Sequence, residues 1–333
     1  MNRPRLAIIG LGKQGLKHYR AARILQSQGK IDLVAVCDIN EIRLNKIIKT
    51  NKVKKYLDYK KLLFETGLEL AIISLPNNEY EPVVRSFLEK GVCVLKEKPL
   101  SITYSEGLRL FKTAEKSLST LVIANQRCYH PYFLKTKEWL SYLKEIRYFE
   151  YRFTMNDNND SWYWRLSDGG GCWLNVGWHL GFILNWLFDV PRISTTKLIN
   201  NSARTWYYDV DDTFEFKCEF NKIFSGKAFG SIISLNDEET LLISGLFGKI
   251  YLDGNGVYLF DKTGKVIKRD TRKYSKNFVY TKQIEDVLRL IRKPKGNRYF
   301  KQMIKVQKFV CDGYVGFDRT IKNNSAIGAV IDE

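Results

Sequence analysis

The chain has 333 residues, 44% of them hydrophobic, and a formal net charge of +18. It is long enough for two domains and a sizeable core, and it lacks both the ~20-residue apolar run of a membrane span and a leader ahead of its first strand, so a soluble cytoplasmic protein is expected. Six scattered cysteines without a C-x-x-C pair, and three histidines that do not cluster with them, indicate neither a zinc site nor a disulfide framework.

Leu6-Ala7-Ile8-Ile9 reads as a buried strand that runs into Gly10-Leu11-Gly12-Lys13-Gln14-Gly15 and then into a helix. In that context G-x-G-x-x-G is a dinucleotide-binding fingerprint. Gly10 allows the tight turn, Gly12 lets the backbone approach a pyrophosphate, and Gly15 lets the helix pack closely on the strand. A second strand, Asp32 to Cys37, ends in Asp38 at about the twenty-residue spacing the fingerprint requires. A carboxylate there accepts from ribose hydroxyls and repels a 2′-phosphate, which points to NAD; Arg43, five residues on, keeps NADP open. Turn or cap duty is the plain alternative for Asp38.

The pattern continues with a helix near Glu41 to Lys49, a short strand near Lys54 to Tyr56 and a helix near Tyr59 to Thr66. Lysines dominate residues 46–61, but they alternate with Ile47, Ile48, Val53, Tyr56 and Leu57 as on solvated faces of core elements. No basic base-reading helix or aromatic RNA-binding motif accompanies them, so nucleic acid is not an expected partner, and the charge suits anionic small molecules instead. Leu70 to Leu75 is a buried strand closed by Pro76, Glu81 to Lys90 is helical, and Val92 to Leu95 leads into Lys96-Glu97-Lys98-Pro99. A helix over Tyr104 to Lys116 and a strand over Thr120 to Ala124 complete the alternation. It specifies an α/β fold, a doubly wound parallel sheet of the Rossmann kind over residues 1–124.

Past residue 125 strands dominate. A helix near Pro131 to Leu143 precedes a long strand, Ile146 to Thr154, and residues 193–200, 211–221, 224–235, 239–245, 249–253 and 256–260 alternate around turns. Residues 125–333 are therefore expected to form an α+β domain with a large, mainly antiparallel open sheet. Helices are predicted near Trp173 to Phe188, near Phe278 to Ile291, where Ile284, Val287, Leu288 and Ile291 share one face, and near Tyr299 to Asp312.

Two constellations carry chemistry. Pro99 holds Lys98 out of the helical region and so presents it beyond a strand end, where an ammonium beside a nicotinamide is expected to have a lowered pKa and to exchange protons with a substrate oxygen. Gly169-Gly170-Gly171 precedes a helix on which Asn175 and His179 are four apart and share a face. The glycines allow backbone to approach a ligand, and His179 is the natural general base for an alcohol. Arg165 is the best grip for a carboxylate or phosphate. His18 reads as packing against the glycine turn, His130 as a helix-start residue, and most tryptophans around the glycine run as core.

In these motifs the chain resembles the glucose-fructose oxidoreductase, inositol dehydrogenase and MocA family. Gly10 to Gly15, Ser74-Leu75-Pro76-Asn77, Glu97-Lys98-Pro99, Trp164-Arg165 and the triple glycine with Gly177-Trp178-His179 fall in the family's order and approximate spacing. The resemblance implies an NAD(P)-dependent dehydrogenase of a sugar or sugar nucleotide, with Lys98 and His179 as the proton-handling pair. It also implies that Lys13, Gln14, Ser74, Pro76, Asn77 and Glu97 line the cofactor, that Arg165 and Asn175 contact substrate, and that the protein is a homodimer or homotetramer. Three departures stand out: Asn175 where the family usually has aspartate, and Tyr80 and Cys93 where it has histidines. An amide bonds a hydroxyl but accepts no proton. Asn175 is thus the best argument for one alternative to the dehydrogenase, a non-catalytic sensor of NAD and sugar, and a second, an NADPH-linked keto-sugar reductase, turns on 2′-phosphate binding.

Overall fold

The computed structural model describes residues 3–47, 52–65, 67–156, 162–188, 195–199, 210–220, 224–292 and 298–315. They belong to two compact units, Met1–Gln126 with Ser275–Ile304 and Arg127–Tyr274 with Lys305–Glu333. This corrects the contiguous division at residue 124 expected from the sequence. The apolar face of a C-terminal helix returns to the first unit's core, a pairing that local periodicity does not encode.

The first unit contains β1 (Arg5–Ile9), α1 (Lys13–Ser27), β2 (Asp32–Cys37), α2 (Glu41–Ile47), β3 (Lys54–Tyr56), α3 (Tyr59–Leu62), β4 (Leu70–Ile73), α4 (Tyr80–Glu89), β5 (Cys93–Lys96), α5 (Tyr104–Lys116) and β6 (Leu121–Ile123). The six strands are parallel in the order β3-β2-β1-β4-β5-β6. Strands covered on both faces read as continuous apolar runs, and every residue of β4 and β5 is buried. Leu6, Ile8, Leu33, Val36 and Leu95 share a core with Leu25 of α1 and with Ile284 and Val287. The last two lie on the returning helix, which spans Lys276–Arg292. Residues 48 and 49 of the second predicted helix lie outside the described residues. The third helix is one turn long, capped by the Asp58 side chain on Lys60 N, and ends at Leu62; Thr66, its predicted end, lies outside the described residues.

Register decides what the sheet presents. Ile9 pairs with Cys37 and with Ile73, and Ile73 with Lys96. The next residue on each strand is therefore Gly10, Asp38, Ser74 and Glu97, and all four stand at one carboxyl edge.

The second unit begins with α6 (Pro131–Trp139), started by His130, whose side chain accepts from Tyr132 N. β7 (Ile146–Asn156) follows, then α7 (Trp178–Phe188), β8 (Thr195–Ile199), β9 (Thr213–Phe220), β10 (Phe224–Ser231), β11 (Ile233–Gly245), β12 (Gly248–Leu252), β13 (Val257–Asp261) and β14 (Val266–Asp270). The last elements among the described residues are the returning helix, labelled α8, and α9 (Arg298–Val315). The eight strands run β14-β13-β12-β11-β7-β10-β9-β8, antiparallel except for the β7–β10 pair.

Three boundaries of this sheet differ from expectation. The break between β10 and β11 falls at residue 232 instead of between 235 and 239 as predicted, and β11 carries an irregularity between Ile233 and Glu238. β14 went unpredicted because Val266-Ile267-Lys268-Arg269-Asp270 is an exposed edge with little alternation. β9 starts at Thr213 because Asp211 is engaged elsewhere; residues 193, 194, 200 and 221 of the predicted strands lie outside the described residues. Among the described residues no helix is long and apolar enough to cross a membrane.

Candidate functional site

At the edge of the first sheet the glycines serve three separate needs. Gly10 has φ +84°, and a Cβ there would sit 1.9 Å from the Ser74 carbonyl oxygen. A Cβ on Gly15 would meet the Gly10 carbonyl oxygen at 1.9 Å, so helix and turn touch backbone to backbone. Gly12 differs: a Cβ there meets nothing within 4 Å, and no side chain caps the helix that it begins. The N–H groups at the start of α1 thus present a bare cationic end that fits a pyrophosphate.

Asp38 is almost fully buried. Its Oδ2 accepts from Leu11 N at 2.7 Å and its Oδ1 from Asn40 N at 2.8 Å, while Arg43 Nη1 stands 3.6 Å from Oδ2. The carboxylate therefore shapes the glycine turn, as the turn reading held, and each oxygen retains a second lone pair for ribose hydroxyls. Ser74 follows β4, Pro76 precedes a short 3-10 turn, and Asn77 in that turn is buried.

Glu97 and Lys98 follow β5. The buried Glu97 Oε1 accepts from His18 Nε2 at 2.7 Å and from Gln126 Nε2 at 2.9 Å, and Oε2 receives the Lys98 N–H at 3.3 Å. Burial works to raise the Glu97 carboxyl, but the His18 bond and the nearby positive charges outweigh it and hold the group below its usual value. The expectation that His18 merely packs on the glycine turn is corrected: a carboxylate only accepts, so His18 Nε2 is a donor that ties α1 to the turn carrying Lys98. Tyr280 of α8 stacks edge-on against His18 at 4.8 Å and donates to Gln14 Oε1 at 2.9 Å. Lys17 Nζ also donates to that oxygen.

Lys96 is a residue that sequence reasoning passed over. It is fully buried at the end of β5, donating to the carbonyls of Glu97 at 2.9 Å and of Pro99. Its Nζ lies 3.4 Å from the centre of the Tyr80 ring. The Lys98–Pro99 peptide is cis, and Lys96 holds the carbonyls on both sides of it. Burial pushes the amine down to about 7, and the Glu106 and Glu97 charges pull it back only in part. Tyr80, where the family usually has histidine, thus serves as the aromatic wall for this amine, and Cys93 is a core residue.

In the second unit the triple glycine is demanded by the chain's own packing. Gly169 takes the left-handed conformation that closes a 3-10 turn. A Cβ on Gly170 would lie 2.3 Å from Tyr163 O, and one on Gly171, at φ +100°, 2.5 Å from Asp211 Oδ1. This corrects the reading of these glycines as room for a ligand. Asp211 accepts from Trp173 N at 2.5 Å; burial pushes its carboxyl up to about 7 against the pull of that bond.

Residues 173–177 wind as a π-helix before α7, so the spacing of Asn175 and His179 crosses a change of helical pitch rather than lying on one α-helical face. The buried Asn175 amide donates back to Gly171 O at 2.8 Å. Trp164, Trp173 and Trp178 are core, as expected. Arg165 is largely exposed, with Nη1 3.5 Å from Asp168 Oδ2. His179 is buried, and its Nδ1 stands 2.5 Å from Arg127 Nη1. Arg127 Nε in turn donates to Glu239 Oε1 at 2.5 Å, which also accepts from Tyr151 OH at 2.8 Å. Arg127, Glu239 and Tyr151 were not singled out from the sequence, since no local motif links residues 52 and 112 positions apart.

Family models cover both halves of this arrangement. The oxidoreductase family with an NAD-binding Rossmann fold, GFO/IDH/MocA, matches residues 4–125, and the GFO/IDH/MocA C-terminal domain matches residues 141–251. The chain belongs to this family. Its N-terminal domain is accordingly an NAD-binding Rossmann domain, and the resemblance carried by the sequence motifs is upheld. An uncharacterized oxidoreductase of Schizosaccharomyces pombe is 30% identical over 148 residues, 43% of this chain and 40% of that one. The match thus spans less than half of that relative. Among solved structures, GenD2 from gentamicin A biosynthesis, in complex with NAD, is 20% identical with a TM-score of 0.81, covering 95% of this chain and 94% of its own. KijD10, a 3-ketoreductase from Actinomadura kijaniata in complex with NADP and TDP-benzene, is 16% identical with a TM-score of 0.83, covering 95% and 98%. These two establish likeness of fold.

Proposed function

We propose that the protein is a nicotinamide-dependent dehydrogenase that oxidises a secondary alcohol on the ring of a sugar or sugar nucleotide. The observation that carries this reading is the common edge of β1, β2, β4 and β5, where Gly10, Asp38, Ser74 and the Glu97-Lys98 pair follow in register. A cofactor bound there supplies the hydride acceptor. The chain's own residues do the rest: the N-terminus of α1 with Lys13 and Gln14 holds the pyrophosphate, Asp38 the ribose, and Ser74, Pro76 and Asn77 the nicotinamide half. Glu97 fixes the turn from which Lys98 reaches the reacting oxygen. Arg165 grips an anionic group of the substrate, Asn175 bonds a hydroxyl, and Lys98 with His179 manages the hydroxyl proton. The substrate loses one hydride and one proton and becomes a ketone. The sugar-nucleotide class is supported by KijD10, whose complex holds a TDP compound, and by the chain's positive charge. Self-association through the open face of the eight-stranded sheet belongs to the same proposal.

A keto-sugar reductase using NADPH is the second reading, and one contact favours it. Arg43 stands beside Asp38, where a guanidinium accommodates a 2′-phosphate. Both readings are tested by absorbance at 340 nm with a panel of UDP- and dTDP-linked sugars, NAD and NADP, and with the corresponding keto sugars and reduced cofactors. Lys98→Met is expected to lower kcat by about 100-fold or more with cofactor affinity retained. Unchanged turnover in that variant overturns the role of Lys98, and bound cofactor without turnover across the panel favours a sensor.

A further inference from the structure

We infer that Arg127 holds His179 in the neutral tautomer that carries its proton on Nε2, and so makes His179 a hydrogen-bond donor to the substrate oxygen rather than its base. The inference rests on the proposed dehydrogenase reading for the reaction, but the tautomer follows from geometry alone. A guanidinium has five N–H donors and no acceptor. With Arg127 Nη1 2.5 Å from His179 Nδ1, the lone pair must be on Nδ1, and the ring's one proton is then on Nε2.

The alternative is disfavoured twice. An imidazolium would turn an Nδ1–H toward an N–H of a permanent cation, a contact that is both unbonded and repulsive. The usual stabiliser of an imidazolium in such a dyad is a carboxylate on the ring, and position 175 carries an amide whose N–H₂ is turned back to Gly171 O. Nor is Arg127 loosely placed. Glu239 Oε1 accepts from its Nε at 2.5 Å, Tyr151 OH donates to the same oxygen at 2.8 Å, and the Phe153 ring lies 5.1 Å from the guanidinium carbon. The Arg127–Glu239 pair is therefore a fixed support aimed at the imidazole.

The proton balance changes accordingly. In oxidation the hydride leaves the ring carbon for the nicotinamide, the hydroxyl proton passes to the base that the proposed function assigns, Lys98, and the His179 Nε2–H donates to the oxygen throughout without being transferred. In reduction the Lys98 ammonium returns the proton. His179 touches substrate on this account, and Arg127 is its positioning residue.

The test is ¹⁵N NMR of histidine-labelled protein saturated with NAD, with the His179 signals identified by their loss in His179→Gln. One pyridine-like Nδ1 and one pyrrole-like Nε2 are expected at pH 7 to 8, with mixed tautomers appearing in Arg127→Met. A pyrrole-like Nδ1 or an imidazolium overturns the inference. The second arm is kinetic. Because glutamine keeps an N–H donor but is no base, His179→Gln is expected within about 10-fold of wild-type kcat, whereas His179→Ala falls about 100-fold or more. Equal losses in the two variants overturn the donor role. If the wild type turns over no sugar, the dehydrogenase reading fails and the donor role with it, while the NMR still decides the tautomer.

Discussion

His18 Nε2 lies 2.7 Å from Glu97 Oε1, so one buried bond joins the helix that begins at the glycine turn to the turn that presents Lys98. Both groups are buried. Removing His18 takes one donor from the buried Glu97 carboxylate and leaves it Gln126 Nε2 and the Lys98 N–H, and His18→Leu is expected to destabilise the protein by about 2 kcal/mol in urea unfolding. Because Glu97 is held below its usual 4.5, its contribution is present above that value and is lost as pH falls through its lower folded value. Below pH 4.5 the wild type should therefore lose stability that His18→Leu has already lost. Parallel acid profiles for the two proteins would contradict this.

Gly10 and Gly12 are two residues apart and should answer to alanine in opposite ways. Gly10→Ala places a Cβ on the Ser74 carbonyl at a left-handed φ and is expected to destabilise by about 4 kcal/mol or more. Gly12→Ala meets no protein atom and should leave the melting temperature within about 2 °C, since a 1 kcal/mol change moves it by only a few degrees. NAD affinity by calorimetry should nevertheless fall about 10-fold, because the methyl projects where the pyrophosphate must approach. A Gly12→Ala protein that binds NAD as wild type would place the cofactor elsewhere.

Lys96 gives a stability signature at alkaline pH. Its amine is pushed by burial from the usual 10.5 down to about 7, so between those values the unfolded chain binds a proton that the folded chain does not. Stability contributed by this group therefore rises with pH from about 7 to 10.5. Lys96→Met should remove that rise while releasing the carbonyls of Glu97 and Pro99 that the amine holds. Chemical denaturation at pH 7, 8.5 and 10 compares the two; an equal slope in both proteins would mean that the amine stays charged in the fold.

Cofactor choice should depend on two neighbours, Asp38 and Arg43. Arg43→Ala is expected to weaken NADP about 10-fold, about 1.4 kcal/mol, and to change NAD binding by less than about threefold. Asp38→Ser should weaken NAD about 10-fold, because it also removes the acceptor for Leu11 N that shapes the glycine turn. Competitive titration of the two cofactors reads both effects, and an unchanged preference in Arg43→Ala removes the case for NADP.

The sequence by itself determined the sheet classes, the glycine fingerprint, Asp38, the Glu97-Lys98-Pro99 turn and the amphipathic face of α8. Each is a local pattern, set by side-chain periodicity or by the backbone demands of glycine and proline over a few residues. The tertiary structure alone decided what pairs across long separations. It brought Glu97 to His18, Glu239 and His179 to Arg127, and Tyr280 to Gln14. It also showed that Gly170 and Gly171 are glycine because Tyr163 O and Asp211 approach them. Burial was equally beyond the sequence, since Lys96 and Lys98 are both lysines beside one motif and only packing against Tyr80 makes the first a buried anchor. A histidine's role depends on the group that faces its second nitrogen, and that group is supplied by another element of the fold.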